Sequence, residues 1–153
     1  MLLQPGTFIK ATPALATTFF ESTLIYITEY NSAGALGFII NQSFGRTLNE
    51  LEEFKNCQPL PLFTGGPVDQ EHLFMLHNRP DLLDSSLAIA NGIYMGGVLK
   101  QAIDAFNNNT LTLQNCKLFI GYCGWDAEEL EAEIEEGSWT IEDLPDVILL
   151  NAQ

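Results

Sequence analysis

The sequence predicts an α+β domain, mostly antiparallel sheet with a few helices packed on it. Apolar runs of strand length, such as Thr23-Leu-Ile-Tyr-Ile-Thr28, recur along the chain and are separated by turns containing Asn and Gly, the pattern of hairpins. Helical spacing appears in only a few short stretches, chiefly at Thr47–Phe54, at Leu99, Ile103 and Phe106, and again after Asp126. That is too few helices to return the chain after every strand, as a parallel βαβ sheet requires. With 153 residues, 46% of them hydrophobic, and ten Phe, the chain reads as one domain over 1–153. A chain of this length buries roughly 70% of the surface it exposes when unfolded.

Taken in order, Gly6 to Ala11 reads as a short strand. Phe19 to Tyr30, rich in β-branched and aromatic residues, reads as a longer one. After the turn Asn31-Ser-Ala-Gly34 a second apolar run, Ala35 to Ile40, completes a hairpin buried on much of both faces. Thr47-Leu-Asn-Glu50 matches a capping box, with Leu48, Leu51 and Phe54 as the apolar stripe of the helix it starts. Leu60 to Thr64 and His72 to His77 are strands on either side of Gly65-Gly66-Pro67. Leu87 to Ala90 and Ile93 to Met95 flank Asn91-Gly92, the pair favoured in type I′ turns, so a second hairpin is expected there. Leu99, Ile103 and Phe106 fall on one face of the next helix. Lys117 to Cys123 is a strand, an acidic helix follows, and Val147 to Leu150 reads as a last short strand.

The acidic helix follows from its ends and its stripe. Asp126 suits the N-cap with Glu129 in the capping-box position, and Gly137 suits the position just past the C-cap. Ala127, Leu130 and Ile134 cluster on one side, and the six Glu from Glu128 to Glu136 cover the rest. Like-charge pairs such as Glu131/Glu135 cost a few tenths of a kcal/mol each. Burial of Leu130 and Ile134 contributes roughly 1.5–3 kcal/mol apiece and outweighs them. Trp125 and Trp139, on either side, are expected to clamp this helix to the sheet.

Charge narrows the function classes. The chain carries −14 at pH 7, and its six Lys and Arg are scattered. Ten of the twenty acids lie between Asp126 and Gln153, and no Lys or Arg follows Lys117, so this stretch alone carries −10. Duplex binding needs clustered cations against the phosphates, and this chain would be repelled from DNA at long range. The first residues lack the basic and apolar regions of a signal peptide. No apolar run approaches the ~18 residues that span a bilayer. Cys57, Cys116 and Cys123 form an odd, widely spaced set that reads as free thiols of a reducing compartment. The expected location is the cytoplasm, with no membrane association.

Few residues carry recognisable chemistry. Cys123 sits at a strand end, but Trp125 fills the position where a nucleophile elbow requires Gly, so it reads as an inert strand thiol. His72 and His77, five residues apart, point to opposite faces of a strand and cannot share a metal. No metal or cofactor is expected, and His77 is favoured as a structural histidine with a pocket-lining role as the alternative. Gly65-Gly66 could offer amides to an anion, but no Walker lysine accompanies them and Pro67 has no N–H; a tight strand connection is the favoured reading.

Several motifs resemble those of the bacterial YqgE/AlgH family, in its order and spacing and over nearly the whole chain. They are Gly34-Ala-Leu-Gly-Phe-Ile-Ile-Asn41, Gly65-Gly66-Pro67-Val68 with Leu76-His77, Asn91-Gly92-Ile93-Tyr94, Gly121-Tyr-Cys-Gly-Trp125, Leu130-Glu131-Ala-Glu133 and Gly137-Ser-Trp139. The resemblance implies a split antiparallel sheet curled into a pseudo-barrel. It also implies a transcriptional-regulator label without a defined activity or catalytic residues. The chain departs from the family pattern at Ala16–Phe19, which lacks an Asp, and at Gln42-Ser43, where Arg-Pro is usual.

The favoured function is therefore a non-enzymatic regulatory or binding protein acting through protein contacts. Glu128, Glu131 and Glu135 would form the surface for an unidentified protein partner, their charge suiting a basic one, with no direct DNA binding expected. The alternative is a small-ligand binder or enzyme using a pocket near Asn41, Gly65, Gly66, His77, Tyr122 and Trp125.

Overall fold

A computed structural model describes residues 2–151. Ten strands form one sheet system: β1 Phe8–Ala11, β2 Leu24–Asn31, β3 Gly34–Ile39, β4 Ser43–Thr47, β5 Pro61–Thr64, β6 Val68–His77, β7 Ser86–Ala90, β8 Ile93–Gly96, β9 Cys116–Asp126 and β10 Trp139–Glu142. Three helices join them: α1 Leu99–Asn107, α2 Glu129–Glu135 and α3 Val147–Asn151. The strand order is β10-β1-β2-β3-β9-β6-β8-β7, with β4 paired to β5 and β5 paired to β9. The architecture is α+β, a mostly antiparallel sheet curled into a half-barrel.

The sheet forks at β9. Along one edge of this strand, Cys123–Asp126 pairs antiparallel with Gly37–Gly34 of β3, while Leu118–Ile120 pairs parallel with Leu62–Thr64 of β5. Along the other edge β9 pairs with β6, from Val68↔Tyr122 to His77↔Cys116. Gly65 closes the fork, its N–H donating to Ile120 O and its carbonyl accepting from Ile39 N, both at 2.8 Å.

Because most central strands are covered on both faces, alternate side chains enter different cores. Ile9, Ile25, Ile27 and Ile39 face outward onto Leu130, Trp125 and Trp139 under α2. Their neighbours Phe8, Tyr26 and Phe38 face inward with Leu76, Phe119 and the α3 residues Leu149 and Leu150. Leu62, Leu118 and Ile120 pack with Leu48 and with Ala102, Ala105 and Phe106 of α1.

Both hairpins form, and Asn91 and Gly92 take the positive φ values of 50° and 82° that a type I′ turn demands. Several details differ from the sequence reading, among them an additional strand, Ser43–Thr47, and an earlier start of β6, at Val68. The first hairpin begins at Leu24 because Phe19–Thr23 is a turn, held by Thr23 Oγ1 donating to Phe20 O at 2.8 Å. Glu50 does cap Thr47 N at 3.2 Å, but two 3-10 turns, Leu48–Glu50 and Glu52–Phe54, replace a longer helix. The acidic helix starts at Glu129, with Glu128 left-handed at its N-cap (φ 68°), which leaves Ala127 exposed outside it. Glu129 Oε1 still reaches back to Asp126 N at 2.9 Å. Val147–Leu150 is helical: after Pro145 a single turn buries Leu149 and Leu150 against the inner core, and that packing overrides the strand propensity of the run.

Candidate functional site

The glycines singled out from sequence serve a crossing of two backbones. Gly65 and Gly66 are buried, and a Cβ on Gly66 would lie 2.1 Å from Tyr122 C, while one on Gly65 would lie 2.3 Å from Gly121 O. Gly121 (φ +73°) would in turn put a Cβ 2.4 Å from Gly66 O. The space beside these residues is filled by main chain, so only residues without side chains fit the junction.

Of the six pocket candidates, Gly65, Gly66 and Tyr122 meet at this crossing, while the side chains of the other three find their partners elsewhere. Asn41 lies at the exit of β3, where its Oδ1 accepts from Leu24 N and its Nδ2 donates to Ser22 O, both at 3.0 Å. His77 pairs with Cys116, six residues along β9 from Tyr122, or about 20 Å at strand rise. Trp125 enters the outer core while Tyr122 packs with the inner one.

His77 is fully buried, and both ring nitrogens are engaged. Nδ1 accepts from Arg79 N at 3.1 Å, and Nε2 lies 2.9 Å from Ser86 Oγ. The Ser86 hydroxyl donates to Leu83 O at 2.7 Å, so the imidazole donates from Nε2 and is neutral. Burial lowers its pKa in the same sense, and the ring stacks on Tyr94 at 6.0 Å. His72, by contrast, is exposed beside Asp69 at 2.5 Å. Among the described residues no group of three His, Cys, Asp or Glu could hold a metal ion.

Cys123 is also buried. Its thiol donates to Gly65 O at 3.4 Å, and burial pushes its pKa up to about 12. A thiol with so little thiolate at neutral pH is a poor nucleophile.

On the acidic helix the carboxylates divide by task. Glu133 Oε1 accepts from both Trp125 Nε1 (3.1 Å) and Trp139 Nε1 (2.9 Å), while Leu130 is fully buried beneath the helix. At the other end Gly137 N donates to Ile134 O and Ser138 N to Glu133 O, a Schellman closure on the Gly at φ +91°. Glu128, Glu131 and Glu135 are exposed, with Glu131 accepting a hydrogen bond from Tyr30 Oη that raises the Tyr30 pKa. The partner-surface candidates therefore stand on an anchored helix.

Two buried polar groups escape the sequence reading. Lys117 is 3% exposed. Its Nζ donates to Ile40 O (2.9 Å) and Leu149 O (3.4 Å) and sits 4.2 Å from the centre of the Phe63 ring. Burial lowers its pKa to about 8. The signal was present: it is a lysine in the apolar run Cys116-Lys-Leu-Phe-Ile120. Tyr26 is fully buried and its hydroxyl has no hydrogen-bond partner among the described residues; its strand, Leu24-Ile-Tyr-Ile27, gave no hint of this. No helix among the described residues is long and apolar enough to cross a membrane.

Comparison with known proteins agrees with this geometry. The profile of the AlgH-like family matches residues 8–153. A UPF0301 protein of Cytophaga hutchinsonii is 35% identical over 144 residues, covering 94% of this chain and 79% of that protein. One from Chlorobaculum tepidum is 34% identical over 146 residues, covering 90% and 74%. The solution structure of the AlgH protein from Pseudomonas aeruginosa matches with a TM-score of 0.80 at 29% identity, covering 97% of this chain and 81% of that one. A crystal structure from Corynebacterium diphtheriae, at 22% identity and a TM-score of 0.76, shares the fold over 99% of this chain and 82% of its own.

Proposed function

The chain belongs to the AlgH-like family, and we propose that it is a non-enzymatic binding protein whose α2 face docks a basic surface of a partner protein. The observation that carries this reading is the placement of Glu128, Glu131 and Glu135. All three are exposed: Glu131 and Glu135 share one face of α2 at i, i+4, and Glu128 stands at its N-cap, on an element held from below by Leu130 and Glu133. A rigid set of carboxylates with no cation after Lys117 steers positively charged surfaces and repels nucleic acid. Any regulatory role would then run through protein contacts in the cytoplasm rather than through DNA. The state of Cys123 and His77 supports binding over nucleophilic catalysis, since one is a buried thiol and the other has both nitrogens occupied.

The test is capture of partners from native cytosol by the full chain at low and high salt, beside a variant carrying E128Q, E131Q and E135Q. The triple change should leave the fold intact, weaken capture and flatten its salt dependence. Capture with unaltered salt dependence would reduce the three acids to a solvated face. In a mobility-shift assay near physiological salt, the protein should not retard duplex DNA.

A further inference from the structure

A groove of about 380 Å³ lies beside α2, lined by Leu2, Leu3, Tyr30, Glu131, Ile134 and Ile141. All but Glu131 are large and mainly apolar, yet the fold leaves them accessible. Leu3, Tyr30, Ile134 and Ile141 are half-buried and pack against the outer core, and Leu2 is 82% exposed. The floor is held by the sheet: Ile141 pairs with Ile9 across β10 and β1, and Tyr30 with Ala35 across β2 and β3. An apolar patch on rigid elements with a polar rim is the usual form of a protein-binding site.

One rim of the groove is charged. Glu131 lines it and also lines the adjoining depression, together with Tyr30, Asn31, Ser32, Ala127 and Glu128. Its carboxylate accepts a hydrogen bond from the Tyr30 hydroxyl, which holds it at the border of the apolar floor. An ionised carboxylate has about four acceptor positions, so that bond leaves room for a cation. Glu135 continues the rim one turn further along α2. No Lys or Arg is among the described residues lining either depression. Nor do Glu128, Glu131 and Glu135 take part in any ion pair among the described residues.

Floor and rim select the occupant together. The carboxylates repel the phosphates of nucleic acid and of anionic lipid. A small inorganic cation would leave the apolar floor uncovered. A second copy of this chain brings another −14 with six scattered cations, so charge opposes it. We propose that the groove docks a short segment of a partner protein in which a bulky aliphatic or aromatic side chain lies next to Lys or Arg. The apolar side chain enters between Leu3, Tyr30, Ile134 and Ile141, and the cation pairs with Glu131. This deepens the reading of α2 as a docking face and rests on it. The acids alone would accept any cationic surface, and the groove adds the requirement for an apolar anchor.

The test is titration of the full chain with three capped peptides, read from the amide resonances of Tyr30, Glu131 and Ile134. Gly-Arg-Leu-Lys-Phe-Arg-Gly carries both features, Gly-Arg-Ser-Lys-Ser-Arg-Gly only the charge, and Gly-Gln-Leu-Gln-Phe-Gln-Gly only the apolar side chains. The first should bind saturably and at least ~10-fold more tightly than either control. Leu2→Ser, at a side chain already in solvent, and Ile134→Ala should each weaken it by ~3-fold or more and leave the charge-only peptide unaffected. E131Q should weaken both Arg-bearing peptides. The proposal is overturned if the first peptide does not bind at millimolar concentration, if the charge-only peptide binds as tightly, or if both groove variants bind the first peptide like the parent chain. In the last two cases, weakening by E131Q leaves the acidic docking face standing without the groove, and no effect of E131Q removes both. A dimer in sedimentation that Ile134→Ala dissociates would also overturn it, since a second copy would then fill the groove.

Discussion

Trp125 and Trp139 meet edge to face at 6.1 Å between ring centres and donate their indole N–H groups to a single oxygen, Oε1 of Glu133. One carboxylate in an otherwise solvated acidic row thus fastens α2 to the ends of β9 and β10.

That arrangement separates Glu133 from its neighbours. Glu133→Ala leaves two buried indole donors without a partner and should cost ~1–3 kcal/mol in urea denaturation. Glu135→Ala, which removes only an exposed carboxylate, should stay within ~0.5 kcal/mol. Equal effects at the two positions would refute the anchoring role of Glu133.

Leu130 is the other anchor. Fully buried among Ile9, Ile25 and Cys123 of the outer core, it should cost ~2–5 kcal/mol when truncated to Ala. The triple change of Glu128, Glu131 and Glu135 to Gln should leave the denaturation midpoint unchanged or slightly higher, because like-charge repulsion is relieved. If that variant unfolds, those acids contribute to the fold rather than to a free face.

At the crossing, Gly66→Ala asks main chain to move, since the added Cβ would stand 2.1 Å from Tyr122 C. It should reduce stability by more than ~4 kcal/mol or prevent folding. Gly92→Ala, with nothing within 4 Å but a positive φ of 82°, should cost only ~1–2 kcal/mol. Circular dichroism melts of the two variants distinguish clash from turn strain.

Alkaline pH should reveal two opposed groups. Lys117 falls from its ordinary 10.5 to about 8 on burial. Between these values the unfolded chain binds more protons than the folded one, so this lysine makes stability rise with pH, by at most ~1.4 kcal/mol per pH unit. Cys116 and Cys123 rise from 9.0 to about 12. Between pH 9 and 12 the folded state holds the extra protons, and each thiol makes stability fall with pH by up to the same slope. The two thiols outweigh the lysine above pH 9, and Tyr26, raised by burial, adds to the loss above pH 10. Chemical denaturation from pH 7.5 to 10.5 should therefore show a downturn beyond pH 9. The parent chain should gain on Lys117→Met between pH 8 and 10.5. If that difference does not vary with pH, Lys117 keeps its ordinary pKa in the fold.

Features set by neighbours along the chain were legible. Asn91-Gly92 specifies its turn because two successive positive φ values suit few other residues. Leu99, Ile103 and Phe106 mark a helix because 3.6 residues make a turn. Gly137 closes α2 for the same kind of local reason. Glu131 and Glu135 could be placed outward from the same arithmetic. The fork at β9 was not legible, since the parallel partner of Leu118–Ile120 lies more than fifty residues away at Leu62–Thr64, and no turn between them records the pairing. Nor did sequence separate Tyr122 from His77, because strand length alone does not say which ends of two ladders meet.

The amino-acid sequence by itself determined the class of fold, the hairpins, the family likeness and the one-sided acidity of the last 28 residues. These depend on periodicity, turn chemistry and charge count, which are properties of short windows. Tertiary structure decided the rest: which glycines let two backbones cross, which glutamate is an anchor, and that Val147–Leu150 is helical. Each of these depends on desolvation and contact between segments remote along the chain, and those energies exist only once the sheet has curled.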